Sequence, residues 1–564
     1  MNFNENLKQL RNELNIICAD AILVAMNNFF GNFENEYSGI GEISGFTGSN
    51  GRAIVSHNRA ILSVDGRYTR QAFEQTDNSV WEIKPYPEFG INSIASELLN
   101  LGQTLAVGAF SITYKSYLSL LETSKKFGFK IKILDKYPIL TRTQSVKSIY
   151  LIDNDRSERI SRIQNTLLEN EALLLSDNAI ISWIFGVRCN PNKEKCVLPN
   201  CVAIIQKEKR PVLFSDLMIE NQCNDFEFFD ISKFEDVIKT FPKVEFILDY
   251  QHTNLYFPEI LRRNEFSIKQ SKMNYYAFEQ NKSEKEIFNM RIACEKASLA
   301  FIKTLAFAEN VKEISESKIS NFFENELKTH DDFVSLSFNS ISAFGKNTSI
   351  VHYNPCTHDD TEVTKDGLFL FDAGAHFKTA TTDMTRVIYR GTPSNGTKKI
   401  YTSILKSVIL FSSMRFPDNS KAYTIDSIAR YFVWETGNDY KFGTGHGVGS
   451  FANVHEPPRI SNNSNDEITK DMIITVEPGI YKNDFGIRLE NMLLTKYSAI
   501  SGFIEFETLN FIPFSRNLID VERLSNIEID WLNKYHQKVF EKFANCLKED
   551  TVTFNWLKEN TRKL

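Results

Sequence analysis

Residues 367–375 read Gly367-Leu368-Phe369-Leu370-Phe371-Asp372-Ala373-Gly374-Ala375, an apolar run that ends abruptly in a carboxylate and small residues. Such a run reads as a buried strand, so the carboxylate at its end needs a reason to be there. Taken alone, Asp372 has one as a turn or helix cap. Eleven residues later a second aspartate, Asp383, stands in Thr381-Thr382-Asp383-Met384-Thr385-Arg386, just before the alternating stretch Val387-Ile388-Tyr389. Two neighbouring antiparallel strands would turn both aspartates toward one cavity.

Working outward, residues 443–449 are Gly443-Thr444-Gly445-His446-Gly447-Val448-Gly449, four glycines around one of only nine histidines in the chain. Glycines let backbone approach closely. The cluster lacks the Gly-Lys-Ser/Thr ending of a phosphate loop and the rhythm of a dinucleotide fingerprint, which leaves the imidazole as its chemical content. Met472-Ile473-Ile474-Thr475-Val476 then reads as a buried strand delivering Glu477 just before Pro478-Gly479, where a ladder must break. Finally, Gly486-Ile487-Arg488-Leu489-Glu490-Asn491-Met492-Leu493 alternates, so a single strand is expected to carry Arg488 and Glu490 on one face.

Buried carboxylates are costly unless paired or metal-bound, and one arginine cannot neutralise four of them. Divalent cations can. Four carboxylates and an imidazole suit a pair of ions about 3.5–4 Å apart, with Asp372, Asp383, His446, Glu477 and Glu490 as the ligands. Oxygen-rich ligation without thiolates favours manganese, with zinc or cobalt possible.

The rest of the chain sets bounds on this reading. At 564 residues it exceeds one hydrophobic core, and 42% apolar with 24% charged residues is ordinary for a folded protein. A net charge of -6 with acids and bases interleaved offers neither the basic field of a nucleic-acid binder nor a polybasic membrane patch, so neither partner is expected. The cluster Lys207 to Arg210 reads as a solvated turn. The N-terminal residues lack an apolar signal region and no stretch approaches 18 apolar residues, so a soluble cytoplasmic protein is expected. Eight cysteines without a Cys-x-x-Cys pair fit reduced thiols; Cys189, Cys196 and Cys201 have the wrong spacing for a zinc knuckle.

Ala21-Ile22-Leu23-Val24, Ala53 to Val55 and Ala60 to Val64 read as strands of a first α/β unit. A weak echo follows in Leu173-Leu174-Leu175, Cys201 to Ile205 and Pro211 to Phe214. The polar region Thr143 to Arg156 is the expected divide. A third unit starts near Glu279, where Ser283-Glu284-Lys285-Glu286 has the form of a capping box ahead of the helical stripe Ile287, Met290, Ala293, Ala297 and Ile302.

The ordered set Asp372, Asp383, His446, Glu477, Glu490 in these contexts resembles the creatinase/prolidase/methionine aminopeptidase superfamily. His352-Tyr353-Asn354-Pro355 and Asn453-Val454-His455-Glu456 look like two more of its motifs. Within it, Gly45-Phe46-Thr47-Gly48-Ser49, Asp65-Gly66-Arg67-Tyr68, Trp183 to Arg188 and Asp530 to His536 extend the likeness to the long, three-domain cytosolic X-Pro aminopeptidases over nearly the whole chain. The resemblance implies an α/β and α+β multidomain fold. Two creatinase-type N-terminal α/β domains, 1–146 and 147–278, would precede a pita-bread catalytic domain with a C-terminal extension, 279–564. Two departures stand out. Phe442 occupies a position where the family usually has a second histidine, on the substrate side, and Pro457-Pro458 replaces a more usual Gly-Pro.

By that resemblance the chain would remove the first residue from peptides with proline second, by attack of a hydroxide held between two ions. Asp372 would bind the first ion, His446 and Glu477 the second, and Asp383 and Glu490 would bridge them. Glu477 would relay the proton, and the substrate's free α-amino group would dock near Asp372. His352, His455 and His446 would contact substrate, His352 and His455 stabilising the oxyanion. Arg67 would reach substrate from the first domain, its alternative being a strand-end salt bridge. Arg488 would orient a metal carboxylate, and a homodimer through the C-terminal part is implied. The alternatives are a prolidase confined to dipeptides, and a catalytically impaired pita-bread domain used for binding.

Overall fold

The computed structural model describes residues 3–25, 39–86, 89–134, 148–152, 155–192, 195–220, 223–356, 360–364 and 366–564. Its chain divides into two compact units, Met1–Tyr275 and Tyr276–Leu564. The boundary expected at 146–147 lies outside the described residues.

The first unit contains two six-stranded mixed sheets. In the first, the strands Trp81–Pro85, Ala60–Val64, Arg52–Ser56, Ala21–Ala25, Thr104–Gly108 and Lys130–Leu134 lie side by side in that order. In the second, the order is Glu227–Asp230, Val212–Ser215, Cys201–Gln206, Glu171–Leu175, Glu245–Leu248 and Ser267–Gln270. Strand for strand, the two sheets share one topology. Each has an antiparallel three-stranded centre with parallel strands added on both sides. The faint sequence echo therefore marks a repeated α/β plan. Its central strands, such as Ala21–Val24 and Ala172–Leu174, are buried on both faces, which explains their unbroken apolar runs.

The second unit opens with the helix Glu284–Asn310, whose capping box is formed by Ser283 and Glu286. Its stripe of Met290, Cys294, Ala297, Phe301 and Leu305 is almost wholly buried in the core of this unit. Each large apolar side chain buried in this way contributes about 1.5–3 kcal/mol. A three-stranded antiparallel sheet joins Ile341–Phe344, Gly367–Ala373 and Met384–Arg390. A six-stranded sheet runs Arg415–Pro417, Phe503–Thr508, Asn491–Tyr497, Ile473–Val476, Gly445–Gly447 and Glu456–Ile460. The helices Asn395–Ser413, Ala422–Trp434 and Asn526–Phe543 pack on the same core.

One expected element differs. Residues 486–493 are not one strand: Gly486–Arg488 pairs with Gly479–Tyr481, whereas Asn491–Tyr497 belongs to the six-stranded sheet. The chain changes sheets at Leu489 and Glu490, and Ile487 and Leu489 are buried as fully as the charged pair. Both faces of the segment lie inside the protein, so alternation does not separate core from solvent here.

A candidate metal centre

Asp372 lies within the strand Gly367–Ala373, directly opposite Thr385, and Asp383 immediately precedes the partner strand Met384–Arg390. Thr385 ties Glu490 to this pair: its hydroxyl donates to Glu490 Oε2 at 2.8 Å, and its carbonyl accepts from the Glu490 N–H at 3.2 Å. His446 sits in Gly445–Gly447, where a Cβ on Gly445 would lie 2.0 Å from the Thr475 carbonyl oxygen and one on Gly447 2.2 Å from that of Pro457. Only glycine lets the imidazole's strand pass so close to its neighbours. Glu477 leaves the end of Ile473–Val476, with its N–H donating to the Thr444 carbonyl at 2.7 Å.

These five side chains converge. Ligand atoms of Asp372, Asp383 and Glu490 lie within 4.8 Å of one another, as do those of His446, Glu477 and Glu490, and those of Asp383, His446 and His455. Glu490 belongs to two of these groups, and so does Asp383. His446 Nε2 stands 3.3 Å from Glu477 Oε1 and 3.5 Å from Asp383 Oδ2. Its Nδ1 is 3.0 Å from the Gly447 carbonyl, to which it donates, and this contact turns Nε2 toward the acids.

Concentrated negative charge dominates the electrostatics. Asp372, Asp383 and Glu490 are all buried. Burial pushes their carboxyls up, those of Asp383 and Glu490 strongly, and the neighbouring carboxylates add to it. Arg488 is the buried cation among them, hydrogen-bonded to Asp372 and to the Tyr481 hydroxyl. One guanidinium does not satisfy the cluster: Asp372 Oδ1 and Glu490 Oε1 are buried without any hydrogen-bond partner among the described residues. Buried lone pairs with no donor, in a set of four carboxylates and one imidazole, fit hard or borderline divalent cations.

His455 is exposed, its ring centroid 4.4 Å from that of His446, and the next residue, Glu456, is buried with Oε2 3.6 Å from Lys282 Nζ. His352 is half-buried between Val351, whose carbonyl accepts from Arg488 Nη1 at 3.3 Å, and Tyr353, which is anchored in the core. Phe442 packs against Tyr440 and Tyr481 with ring centroids 5.0 and 5.7 Å away. Arg67 belongs to the unit Met1–Tyr275, where Asp65 accepts from its Nε at 3.0 Å and its Nη2 at 2.7 Å. Burial pushes the Asp65 carboxyl up, but Arg67 more than offsets this and holds it below its ordinary range. Among the described residues, Cys189, Cys196 and Cys201 form no group with metal-ligand spacing.

Sequence reasoning passed over Thr385, Tyr481 and Thr475. Thr475 accepts the His446 N–H at 3.1 Å, Thr385 donates to Glu490, and Tyr481 accepts from Arg488, which in turn holds Asp372. Thr385 was the most legible, since it shares the strand between Asp383 and Arg386.

Residues 289–496 match the model of metallopeptidase family M24, residues 502–564 that family's C-terminal region, and residues 8–130 the creatinase/prolidase N-terminal domain. The chain thus carries a region that matches metallopeptidase family M24 with its C-terminal part, behind one that matches the creatinase/prolidase N-terminal domain, in a fold of creatinase-type α/β domains and a pita-bread domain. Full-length relatives narrow the likeness further. A probable Xaa-Pro aminopeptidase P of Talaromyces marneffei is 29% identical over 575 residues, covering 93% of this chain and 86% of that one. One of Paracoccidioides lutzii is 29% identical over 577 residues, covering 93% and 92%. The crystal structure of X-prolyl aminopeptidase from Caenorhabditis elegans, described as a cytosolic enzyme with a di-nuclear active site, superposes with a TM-score of 0.91 at 22% identity, covering 100% of both chains.

Proposed function

We propose that this chain is a two-metal Xaa-Pro aminopeptidase, removing the first residue from peptides that carry proline second. The carrying observation is the convergence of Asp372, Asp383, His446, Glu477 and Glu490, with buried acceptor oxygens on Asp372 and Glu490 that no described donor meets. Asp372 would hold the first ion, His446 and Glu477 the second, and Asp383 and Glu490 would contribute to both. When bound, two divalent cations, manganese by this donor set with zinc or cobalt as alternatives, supply Lewis-acid polarisation of the scissile carbonyl and activation of water.

The chain's own groups do the rest. Glu477 has a side chain 20% exposed, more open than Asp372 at 9% or Asp383 at 6%, and so can take a proton and pass it on. His352 and His455 would steady the carbonyl oxygen as charge develops there, and His446 would also contact substrate. The substrate's α-amino group docks beside Asp372, which confines action to N-termini. Arg67 is proposed as a further substrate contact. Proline makes a tertiary amide without an N–H, so a site built for the ring is needed where general aminopeptidases act poorly.

Division at 1–146, 147–278 and 279–564, a cytoplasmic location and a homodimer belong to the same proposal; light scattering tests the dimer. Among the described residues no helix is long and apolar enough to cross a membrane. The activity is tested by comparing release of the first residue from X-Pro-Pro tripeptides and X-Pro dipeptides. We expect the tripeptide to be preferred. Preference for the dipeptide makes the protein a prolidase, and no hydrolysis of either with both ions bound makes it a binding module.

A further inference from the structure

The chain that carries His352 is gripped from two sides. Toward the metal centre, Thr348 Oγ1 accepts from the Gly486 N–H at 2.9 Å and the Val351 carbonyl from Arg488 Nη1 at 3.3 Å. On the other side stands Glu316, the first residue of the helix Glu316–Leu327, with no exposed surface. Its Oε2 accepts from the Tyr353 hydroxyl at 2.7 Å and the Thr361 N–H at 3.0 Å, and its Oε1 from the Phe344 N–H at 2.5 Å. Asn347 Nδ2 reaches both oxygens, at 3.1 and 3.2 Å.

A carboxylate at this depth is expensive, and burial pushes its acid form up despite these donors. Apolar packing would hold a segment in the core at lower cost. A hydrogen-bonded hub instead fixes geometry, and these donors all come from Phe344 to Thr361, the stretch that contains His352. The side chain of Tyr353 is fixed by Glu316 and the backbone of Val351 by Arg488, so His352 is bracketed on both sides by residues with fixed partners.

We propose that Glu316 is a positioning residue for His352, setting where its imidazole stands relative to the metal centre through Tyr353 and the backbone around it. This rests on the aminopeptidase reading. The test uses the full-length, metal-loaded chain with Glu316→Gln, which keeps the shape but sets an NH2 against facing donors, and Tyr353→Phe, which deletes one bond. For Glu316→Gln, kcat on an X-Pro-Pro peptide should fall about ten- to hundredfold, the scale of a misplaced catalytic group, with KM and metal content near wild type. In a His352→Ala background the same substitution should cost less than about twofold, because its effect acts through His352. A folded, metal-loaded Glu316→Gln with full kcat, or an equal loss with and without His352, overturns the proposal. Should Glu316→Gln fail to fold, Tyr353→Phe carries the same cycle: a loss of kcat that needs His352 supports the proposal, and full kcat or a loss independent of His352 overturns it. A wild-type chain that binds two ions yet cleaves no X-Pro-Pro peptide overturns the aminopeptidase reading and this proposal with it.

Discussion

Arg488 reaches Asp372 with one Nη and the Tyr481 hydroxyl with the other, while its Nε lies 4.0 Å from Glu477 Oε2. A single buried fork thus orients Asp372 by a hydrogen bond, with its Nε donating to Thr385 Oγ1 at 3.4 Å and Glu477 at the limit of ion-pair distance. Arg488→Lys keeps the charge but loses the planar fork. We expect metal affinity or activity to fall about 10–100-fold, the usual cost of losing a group that orients ligands. Calorimetric titration with manganese checks this, and unchanged affinity would show that Arg488 merely balances charge.

Asp383 and Glu490, like His446, each belong to two of the ligand groups, and they are the two carboxylates proposed to serve both ions. Asp383→Ala and Glu490→Ala should abolish turnover while leaving the chain folded. Chelated, neither variant should melt below chelated wild type, because each removes a buried carboxylate from a repulsive cluster. Turnover retained in either one argues against a bridged pair.

The pH dependence has a definite sign. The carboxyls of Asp383 and Glu490 stand well above their ordinary range, through burial first and then neighbouring negative charge. A folded pKa raised above the unfolded value gives stability that is present below the unfolded value and lost as pH rises through the folded one. The chelated protein should therefore lose this contribution as pH rises above the ordinary carboxylate range, and the cations should restore it by replacing protons. Thermal melts at fixed free metal should show the gap between loaded and chelated protein widening with pH. A gap that narrows contradicts the account.

Phe442 presents a ring where a histidine would offer a proton, and its carbonyl is held by Arg430 Nη2 at 2.7 Å. Phe442→His should change kcat or the preference for residues after proline, with metal content unchanged. Identical kinetics across a peptide panel would make the position immaterial.

Much of the site was legible because its chemistry is locally abrupt. Asp372 and Glu477 interrupt apolar strands, and His446 stands among glycines that the close approach of Thr475 and Pro457 requires. The break at Leu489 and Glu490 was not legible, because a segment buried on both faces gives no alternation to count. Glu316 was invisible for another reason. In sequence it is one acidic residue at a helix start, an ordinary place for a solvated carboxylate, and only folding brings Tyr353, Thr361 and Phe344 around it. The shared topology of the two N-terminal sheets lay between these cases, since similar strands could be seen but not their order.

The most direct test of the two-ion centre is metal analysis by mass spectrometry of the purified full-length protein, equilibrated with manganese and freed of excess, beside its Asp383→Ala variant. Two ions per wild-type chain, with at least one lost from the variant, is the predicted result. Wild-type protein that cleaves X-Pro-Pro peptides at full rate with no bound ion would contradict it.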